Sequence, residues 1–538
     1  MKRLGIADRA FLLAETREAP MHVGGIHLFT LPQGVQEQRF LHQMADNLRA
    51  TEQFQSPFGE RLKMGPLGAL GPVFWEPDDA LDPDYHIRHS ALPRPGRYRE
   101  LFALVSRLHG AMMDRHRPLW EMHLIEGLQK RQFAVYSKYH HAAIDGIRSM
   151  HLTQSMFSTD ARARIDDSPL SVQAWERYRA RLQQAEPLGD AQVRNVAEAL
   201  KAQLDSAANL YGGLKQCAAA WTGRGAGLNL PWLNVPRSSI NTPVDGARRF
   251  VAQSWPFERV RAVGKALDGT FNDAVLAMCA GALRRFLQNL GELPEQSLKA
   301  MVPLSLRRAG DIDSSNAVAT VSADLATHLA DPVERFETIR SSMRAGKALL
   351  QDMTPREAEL FVLLTQMPGL LLMPLGLTSR FPPYSTVISN VPGPRRAMYW
   401  NGARLDGIYP ASIVTEGVAL NITLVTYDQN VDFGITACRR SLPQVQRLID
   451  DMEDALSELE EAAGLRAGKA GASTGTGTKA KTKTKTRTKV KAKAKAKTKA
   501  NTKTKAKSGA AAKVRPKTGA RDTAQTASRR DIAPDRQA

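Results

Sequence analysis

Cysteine is scarce in this chain of 538 residues. Only Cys217, Cys279 and Cys438 occur, an odd and scattered set. Such a set predicts reduced thiols rather than a disulfide framework. The cysteines also lack the close spacing of structural zinc ligands. We therefore expect neither a metal site nor a bound cofactor.

The amino terminus lacks the uninterrupted apolar core of a signal peptide. Four charged side chains break it, namely Asp8, Arg9, Glu15 and Arg17. This pattern predicts a cytoplasmic protein.

A long apolar run occurs once, at residues 360–379, which carry no charge. Its length is that of a transmembrane helix, but Pro368-Gly369 and Pro374-Leu375-Gly376 interrupt it. The segment is interpreted as a buried hairpin of the core. The alternative is a broken apolar helix that lines a lipid-sized cavity or dips into one membrane leaflet.

Negative charge is in short supply only at the carboxyl end. From Lys469 onward there are 22 lysines and arginines against 3 acidic residues, a net charge of +19. The preceding residues carry a net charge of only +1. The tail consists of Lys-Thr-Lys-Ala near-repeats, which cannot bury enough apolar surface to fold and are expected to be disordered. Anionic lipid or DNA is its expected partner, and a merely solubilising extension is the alternative.

The strongest motif is His-His-Ala-Ala-Ile-Asp-Gly at residues 140–146. It follows a run at 132–139 with the alternation of a strand, and residues 147–157 predict a helix. On this pattern His140 and His141 point to opposite faces, with His141 on the side of Phe133. A neutral imidazole can take a proton from a hydroxyl. A buried histidine pair or an incomplete metal site is the alternative interpretation.

This motif resembles the His-His-x-x-x-Asp-Gly signature of the acyltransferase superfamily that includes chloramphenicol acetyltransferase and peptide-synthetase condensation domains. Other motifs resemble one branch, the bacterial wax ester synthase/acyl-CoA:diacylglycerol acyltransferases. They are Pro-Met-His-Val-Gly-Gly at 20–25, Asp-Tyr-His-Ile-Arg-His at 84–89, Arg-Pro-Leu-Trp-Glu at 117–121, Asn-Asp at 272–273, Val-Pro-Leu-Ser-Leu-Arg at 302–307 and Ser-Asn-Val-Pro-Gly-Pro at 389–394. The resemblance covers roughly residues 1–465.

The resemblance implies an α+β fold, an α/β sandwich of two chloramphenicol-acetyltransferase-like domains with the active site in a tunnel between them. The length also favours two domains. The predicted boundaries are 1–165 for the first domain, 166–246 for a helical bridge and crossover loop, 247–465 for the second domain and 466–538 for the tail. Residues 74–89 are expected to be irregular until a strand ends them.

The resemblance also implies roles for individual residues. His141 would be the catalytic base, and His140 would either pack against the strand or position the alcohol. Asp145 would point away from the substrate and pair with Arg307, while Gly146 and Asn390 would give structural support. Candidate donors to the oxyanion are Asn272 and Ser389. Thr270 and Asp273 have the spacing of a capping box, so capping alone is the alternative role for the Asn272-Asp273 motif.

Three functions follow as expectations. The first is transfer of a fatty acyl group from acyl-CoA, a substrate, to a long-chain alcohol or diacylglycerol, in peripheral contact with the membrane or lipid inclusions. The second is an amide-forming condensation enzyme, although the chain contains no carrier domain. The third is a scaffold that coats lipid inclusions and binds nucleic acid through its tail. A Gly-x-Ser-x-Gly elbow is missing, which agrees with direct transfer without a covalent acyl-enzyme.

Overall fold

In the computed structural model, strands and helices follow one another in mixed order along the chain. The structure describes residues 1–144, 146–185, 215, 229–305, 318–351, 357, 360–361, 364–365, 368–369, 372 and 376–466. Residues 1–470 form one compact unit. Two six-stranded sheets and one three-stranded sheet are flanked by helices, which confirms the predicted α+β class.

The strands are β1 (Lys2–Arg3), β2 (His22–Thr30), β3 (Glu60–Met64), β4 (Val73–Pro77), β5 (Ile87–Ala91), β6 (Trp120–Glu126), β7 (Gln132–His140), β8 (Arg248–Pro256), β9 (Lys299–Ser305), β10 (Val318–Asp324), β11 (Thr386–Pro392), β12 (Tyr399–Trp400), β13 (Ala403–Ala411), β14 (Leu420–Tyr427) and β15 (Asn430–Cys438). The helices are α1 (Ile6–Ala14), α2 (Glu37–Arg49), α3 (Pro83–His86), α4 (Tyr98–Gly110), α5 (Gly146–Ser155), α6 (Val172–Ala185), α7 (Phe257–Ala266), α8 (Phe271–Leu290), α9 (Pro332–Gln351) and α10 (Arg447–Ala462).

The first six-stranded sheet has the order β12-β13-β2-β7-β6-β5. All nine residues of β7 are buried, because both faces of this central strand are covered. Phe133 and Val135 face one apolar cluster, whereas Ala134 and Tyr136 face another. This alternation is the one that the sequence predicted, and the strand predicted at 132–139 is confirmed to within one residue.

The second six-stranded sheet has the order β10-β9-β11-β14-β15-β8. One of its two 20-residue helices, α8, begins with the predicted capping box. The Thr270 hydroxyl accepts a hydrogen bond from the Asp273 N–H, and the Asp273 carboxylate accepts one from the Thr270 N–H at 2.8 Å. The helix ends at Gly291, whose φ of 71° is the left-handed conformation that favours glycine.

Two strands from late in the sequence complete the early sheet. Strand β13 pairs antiparallel with β2, and β12 pairs with β13. The two sheets also touch through a buried hydrogen bond of 2.8 Å, which the Ile408 N–H donates to the Asp432 carboxylate on β15. The domain boundaries predicted at 165 and 247 remain predictions.

A small sheet lies where the sequence predicted irregular structure. Strand β4 pairs antiparallel with β1 on one side and with β3 on the other. The prediction for residues 74–89 was therefore wrong over β4 and over the short helix α3. It failed because β4 is only five residues long and one of its two partners, β1, lies about seventy residues earlier in the sequence.

Several predicted segments lie outside the described residues. They are part of the bridge, at 186–214 and 216–228, nearly half of the apolar run at 360–379, and the tail from 467 onward. Among the residues that are described, no helix is long and apolar enough to cross a membrane.

Candidate active site

The histidine motif lies where β7 ends and α5 begins. His140 is the last residue of β7, a turn follows at 141–143, and α5 starts at Gly146. Asp145 lies outside the described residues. The turn is tied to the start of β2, because His22 pairs with His140 and the His141 N–H donates to the Met21 carbonyl at 2.9 Å. Both imidazoles therefore project from a region that two strands hold in place.

His140 is fully buried, and both of its ring nitrogens face protein groups. Its Nδ1 accepts a hydrogen bond of 3.0 Å from the Ala142 N–H. Its proton must therefore be on Nε2, which lies 3.4 Å from Oε1 of Glu15. This arrangement fixes the tautomer and the orientation of the ring. It also ties the backbone of the turn to the histidine that precedes it.

His141 has a different environment, although it is the next residue. It is half-buried, and its ring stacks on the ring of Phe11 with centroids 4.1 Å apart and planes 14° apart. Because β7 ends at His140, the strand alternation predicted for His141 does not extend to it. His141 instead lies in the turn against α1. The two histidines thus differ in exposure and in partners.

Glu15 is the residue that sequence reasoning missed at this site. Its carboxylate accepts hydrogen bonds from the Met21 N–H at 3.0 Å and from Arg115 at 2.8 and 3.0 Å. Burial by itself would raise the pKa of the Glu15 carboxyl. The contacts with His140, with the Met21 N–H and with Arg115 outweigh burial and lower that pKa to about 2. A permanent buried carboxylate therefore faces His140.

A second buried ion pair joins Lys138 of β7 to Glu121 of β6. Lys138 donates to Leu108 O and Ala111 O at 3.1 Å each, and its ammonium lies 3.2 Å from the Glu121 carboxylate. These two carbonyls belong to the end of α4, where unsatisfied carbonyls favour a cation. Burial lowers the pKa of Lys138, and Glu121 opposes that effect. The pair anchors α4 to the strand that carries the histidines.

Two further buried histidines, His22 and His109, lie beside the Lys138–Glu121 pair and have structural functions. His22 donates from Nε2 to the carbonyl of His109 at 2.6 Å. His109 accepts from the Tyr136 hydroxyl at 2.8 Å and donates to the carbonyl of Ser412 at 3.0 Å. Burial is the main cause that lowers the pKa of both imidazoles, that of His109 to about 3. Both are therefore neutral at physiological pH and act as hydrogen-bonding parts of the core.

Two of the sequence motifs have clear packing functions. In Pro-Met-His-Val-Gly-Gly, a Cβ at Gly24 would lie 2.5 Å from the carbonyl oxygen of Ser137, so only glycine fits opposite β7. In Arg-Pro-Leu-Trp-Glu, Trp120 is buried, stacks on His86 at 4.4 Å and donates its indole N–H to Phe58 O at 2.8 Å. Trp120 therefore has a packing function in this fold.

The Asn-Asp motif lies in the first turn of α8. Asp273 is buried and closes the capping box, which is the structural function that its spacing predicted. Asn272 is half-buried in the same turn. Helix α8 packs against α7, α9 and α10. The oxyanion function of Asn272 therefore stays a prediction.

Ser389 and Asn390 lie on β11, whose other contacts include helix α5. The structure thus brings their strand against the helix that follows the histidine motif. Both residues are half-buried. The Asn390 amide oxygen is buried and has no hydrogen-bond partner among the residues that the structure describes. Arg307 lies outside those residues, so its predicted pairing with Asp145 stays a prediction.

The arrangement suits proton transfer between bound groups. It offers a half-buried imidazole at a rigid turn, next to a buried imidazole whose orientation a carboxylate fixes. Within the described ranges, no group of three or more histidine, cysteine or acidic side chains is placed to hold a metal ion.

The sequence and the fold match known proteins over nearly the whole compact unit. The pattern of the wax ester synthase/diacylglycerol acyltransferase catalytic domain matches residues 4–275, and that of the WS/DGAT C-terminal domain matches residues 314–460. The chain is 43% identical over 465 residues to the probable diacylglycerol O-acyltransferase tgs2 of Mycobacterium tuberculosis, covering 85% of this chain and 98% of that protein. It is 37% identical to the O-acyltransferase WSD of Acinetobacter baylyi, covering 86% of this chain and 97% of that protein.

Two solved structures resemble the fold. The wax ester synthase/diacylglycerol acyltransferase from Marinobacter aquaeolei VT8 has a TM-score of 0.67 and 37% identity, with 86% of this chain and 100% of that chain covered. The first condensation domain of the calcium-dependent antibiotic synthetase has a TM-score of 0.51 at 16% identity, covering 86% and 96%, which shows a shared fold. The chain belongs to the wax ester synthase/diacylglycerol acyltransferase family.

Proposed function

We propose that this protein is an O-acyltransferase that moves a fatty acyl group from acyl-CoA to a long-chain alcohol or to diacylglycerol. Its products are wax esters and triacylglycerol. The observation that carries the assignment of the base is the unequal environment of the two neighbouring histidines. His140 is fully buried with both ring nitrogens facing protein groups, whereas His141 is half-buried at the turn. His141 is therefore the histidine that a substrate can reach.

In the proposed reaction His141 removes the proton from the alcohol hydroxyl. The alcohol oxygen then attacks the thioester carbonyl, and the carbon–sulfur bond breaks as the carbon–oxygen ester bond forms. The proton passes from His141 to the departing CoA thiolate, so the products are the ester and free CoA. General-base assistance of this kind contributes roughly 10²- to 10⁴-fold to the rate.

Other residues have supporting functions in this proposal. Asp145 pairs with Arg307 and keeps the turn rigid, and Gly146 allows α5 to start at once. Ser389 or Asn272 donates a hydrogen bond to the oxyanion of the tetrahedral intermediate. The contact between β11 and α5 supports Ser389, because it brings that strand close to the histidine motif. Asn390 on the same strand gives structural support.

We also propose that each of two domains is built on one six-stranded sheet, with the acyl chains held in a tunnel between them. Strands β12 and β13 of the second domain complete the sheet of the first. The boundaries are those predicted from the sequence, 1–165 and 247–465, with 166–246 as the bridge. Acyl-CoA is a substrate of this reaction and not a cofactor. Transfer therefore needs no further bound group.

The test of this function is a transfer assay on the purified full-length protein. Palmitoyl-CoA is supplied with hexadecanol, with diacylglycerol or with hexadecylamine, and released CoA and lipid products are measured. We expect ester formation with the first two acceptors. Amide formation in preference to ester would support the condensation-type alternative and would contradict the proposal.

The histidine assignment is tested by two alanine variants. H141A should lose nearly all transfer, at least about 100-fold, because the base is removed. H140A should lose less, and its loss should be accompanied by a lower melting temperature, because it removes one contact of the buried Glu15 carboxylate and leaves the Ala142 N–H without its acceptor. A greater loss of transfer in H140A, with both variants folded, would show that the base was assigned to the wrong ring.

The tail and the cellular location are proposed from charge alone. The net charge of +19 after residue 468 favours electrostatic attachment to anionic surfaces. We propose peripheral attachment to the inner membrane or to lipid inclusions, with DNA as a second polyanion that the tail can bind. The matched relatives align with 85–86% of this chain and with nearly all of their own length. The activity therefore belongs to the aligned part of the chain, and the tail adds attachment.

A further inference from the structure

The small sheet carries an unusual turn at the surface of the protein. Residues 65–72 join β3 to β4, and two leucines project from this turn. Leu67 is 71% exposed and Leu70 is 74% exposed, the highest values among the large hydrophobic residues after Met1 at 74%. A single exposed leucine carries little meaning, but adjacent ones form a patch that marks an interaction site.

The turn is fixed to helix α1. The Arg9 guanidinium donates hydrogen bonds to Ala69 O at 3.1 Å and to Leu70 O at 2.9 Å. Leu13 follows Arg9 by one helical turn and is 45% exposed, so it lies on the same side of α1. The exposed leucines at 13, 67 and 70 thus lie on α1 and on the turn that Arg9 binds to it, and we name these three residues the leucine ridge.

Three exposed cations lie on the outer face of the small sheet, whose β3–β4 turn carries two leucines of the ridge. In the register of the small sheet, Arg3 and Lys63 flank Phe74 on the outer face, and Arg61 lies opposite Glu76. All three of these basic residues are exposed. Glu76 is already paired with Lys63 at 2.9 Å. An apolar ridge beside an excess of cations is complementary to a lipid surface with anionic headgroups.

The leucine ridge is also structurally continuous with the histidine turn. Leu4, Leu12 and Trp75 share one apolar cluster with Ala142 and Ala143 of the turn. On the same helix α1, Phe11 stacks on His141 while Leu13 faces outward. A surface held by the ridge would therefore lie against the elements that support the active site.

We infer that the leucine ridge, with its flanking cations, is the surface by which this protein docks on anionic lipid. Leu13, Leu67 and Leu70 insert among the headgroups, while Arg3, Arg61 and Lys63 bind lipid phosphates. The inference rests on the proposed function in one respect, since the water-insoluble acyl acceptors would come from that lipid. It differs from attachment by the tail, because it depends on apolar burial as well as on charge.

The experiment compares full-length variants in vesicle flotation. The vesicles contain phosphatidylcholine, phosphatidylglycerol and diacylglycerol, and the buffer contains about 0.5 M NaCl to screen the tail. We expect the L67D/L70D variant to bind at least about tenfold more weakly than the wild type, because two apolar insertions are lost. L67S/L70S, which adds no negative charge, should show most of the same loss.

The matched control is F381D, because Phe381 is an exposed aromatic residue, 54% exposed, in the second half of the chain. It should bind like the wild type. Equal binding of L67D/L70D and wild type, or an equal loss in F381D, would overturn the docking surface. Light scattering could instead show that the wild type is a dimer and that L67D/L70D is a monomer. With vesicle binding unchanged, that result would also overturn the docking surface, because the ridge would then bind a second copy of the chain.

Transfer between a short-chain acyl-CoA and a water-soluble alcohol, measured without vesicles, separates the two proposals. L67D/L70D should keep this activity within about twofold, because the ridge is not part of the proposed chemistry. If the wild type transferred palmitate to neither hexadecanol nor diacylglycerol in the assay above, the proposed function would fail whatever the flotation result. If the activity were present and flotation unchanged, only the docking surface would fail.

Discussion

Replacing Glu15 with glutamine tests whether the buried carboxylate positions the two histidines. The Glu15 carboxylate faces His140 and accepts from Met21, and the carbonyl of Met21 in turn accepts from the His141 N–H. The glutamine amide would point a donor at Arg115, which also donates. The change therefore keeps the size of the side chain and breaks its network.

The pKa of Glu15 gives the size of the expected effect. A reduction from 4.5 to about 2 corresponds to roughly 3 kcal/mol of unfolding free energy at neutral pH. Because the pKa is lowered in the folded state, this contribution is fully present above pH 4.5 and is lost as the pH falls through about 2. The difference in stability between wild type and E15Q should thus be constant near neutral pH and shrink in acid.

Denaturant unfolding at several pH values measures this difference, and the transfer assay measures the catalytic effect. We expect kcat to fall about 10- to 100-fold, since small displacements of catalytic groups are costly. The matched control is E453Q, because Glu453 also pairs with an arginine, Arg259, at 2.9 Å but is 45% exposed. It should lose less than about 1 kcal/mol and no activity. An E15Q protein as stable and as active as the wild type would refute the positioning argument.

Three further outcomes are expected. A double-mutant cycle on Asp145 and Arg307 should show coupling in melting stability and in kcat, and strictly additive losses would exclude the pair. Truncation after Arg466 should leave transfer in detergent largely intact and reduce low-salt binding to anionic vesicles or DNA, whereas loss of activity in detergent would assign the tail to the working fold. Burial raises the pKa of Asp432 to about 7, so its contribution to stability is lost as the pH rises from 3.8 through 7. D432N should therefore melt higher than the wild type at pH 8 but not at pH 4, by an amount equivalent to at most roughly 4 kcal/mol, and an equal difference at both pH values would contradict this.

The regular elements of the fold were predictable where the local pattern is strong. The strand at 132–140 alternates between two cores, and the capping box at 270–273 fixes the start of α8. The small sheet was not predictable from its short strands, because β4 depends on β1, about seventy residues earlier.

Of the candidate active site, only the histidine motif could be predicted from the sequence. The two histidines and the turn after them carry a recognisable spacing. Glu15 and Arg115 carry none, since they are 100 residues apart and meet only in the folded chain. In the sequence Glu15 is only one of several charged residues near the amino terminus. In the sequence Lys138 is one polar position of the predicted strand. Only the structure shows that its ammonium donates to the carbonyls at the end of α4.

The pairing of β13 with β2 has a consequence for synthesis on the ribosome. Strand β2 ends at Thr30, but the strand that covers its free edge begins only at Ala403. At about 5–20 residues per second, the edge of β2 waits roughly 20–75 s for its partner. During that time it exposes unpaired backbone groups that can pair with another nascent chain. Slow translation of the second half, or expression of the first half alone, should therefore produce aggregates, and a peptide of residues 399–411 added during synthesis should reduce them.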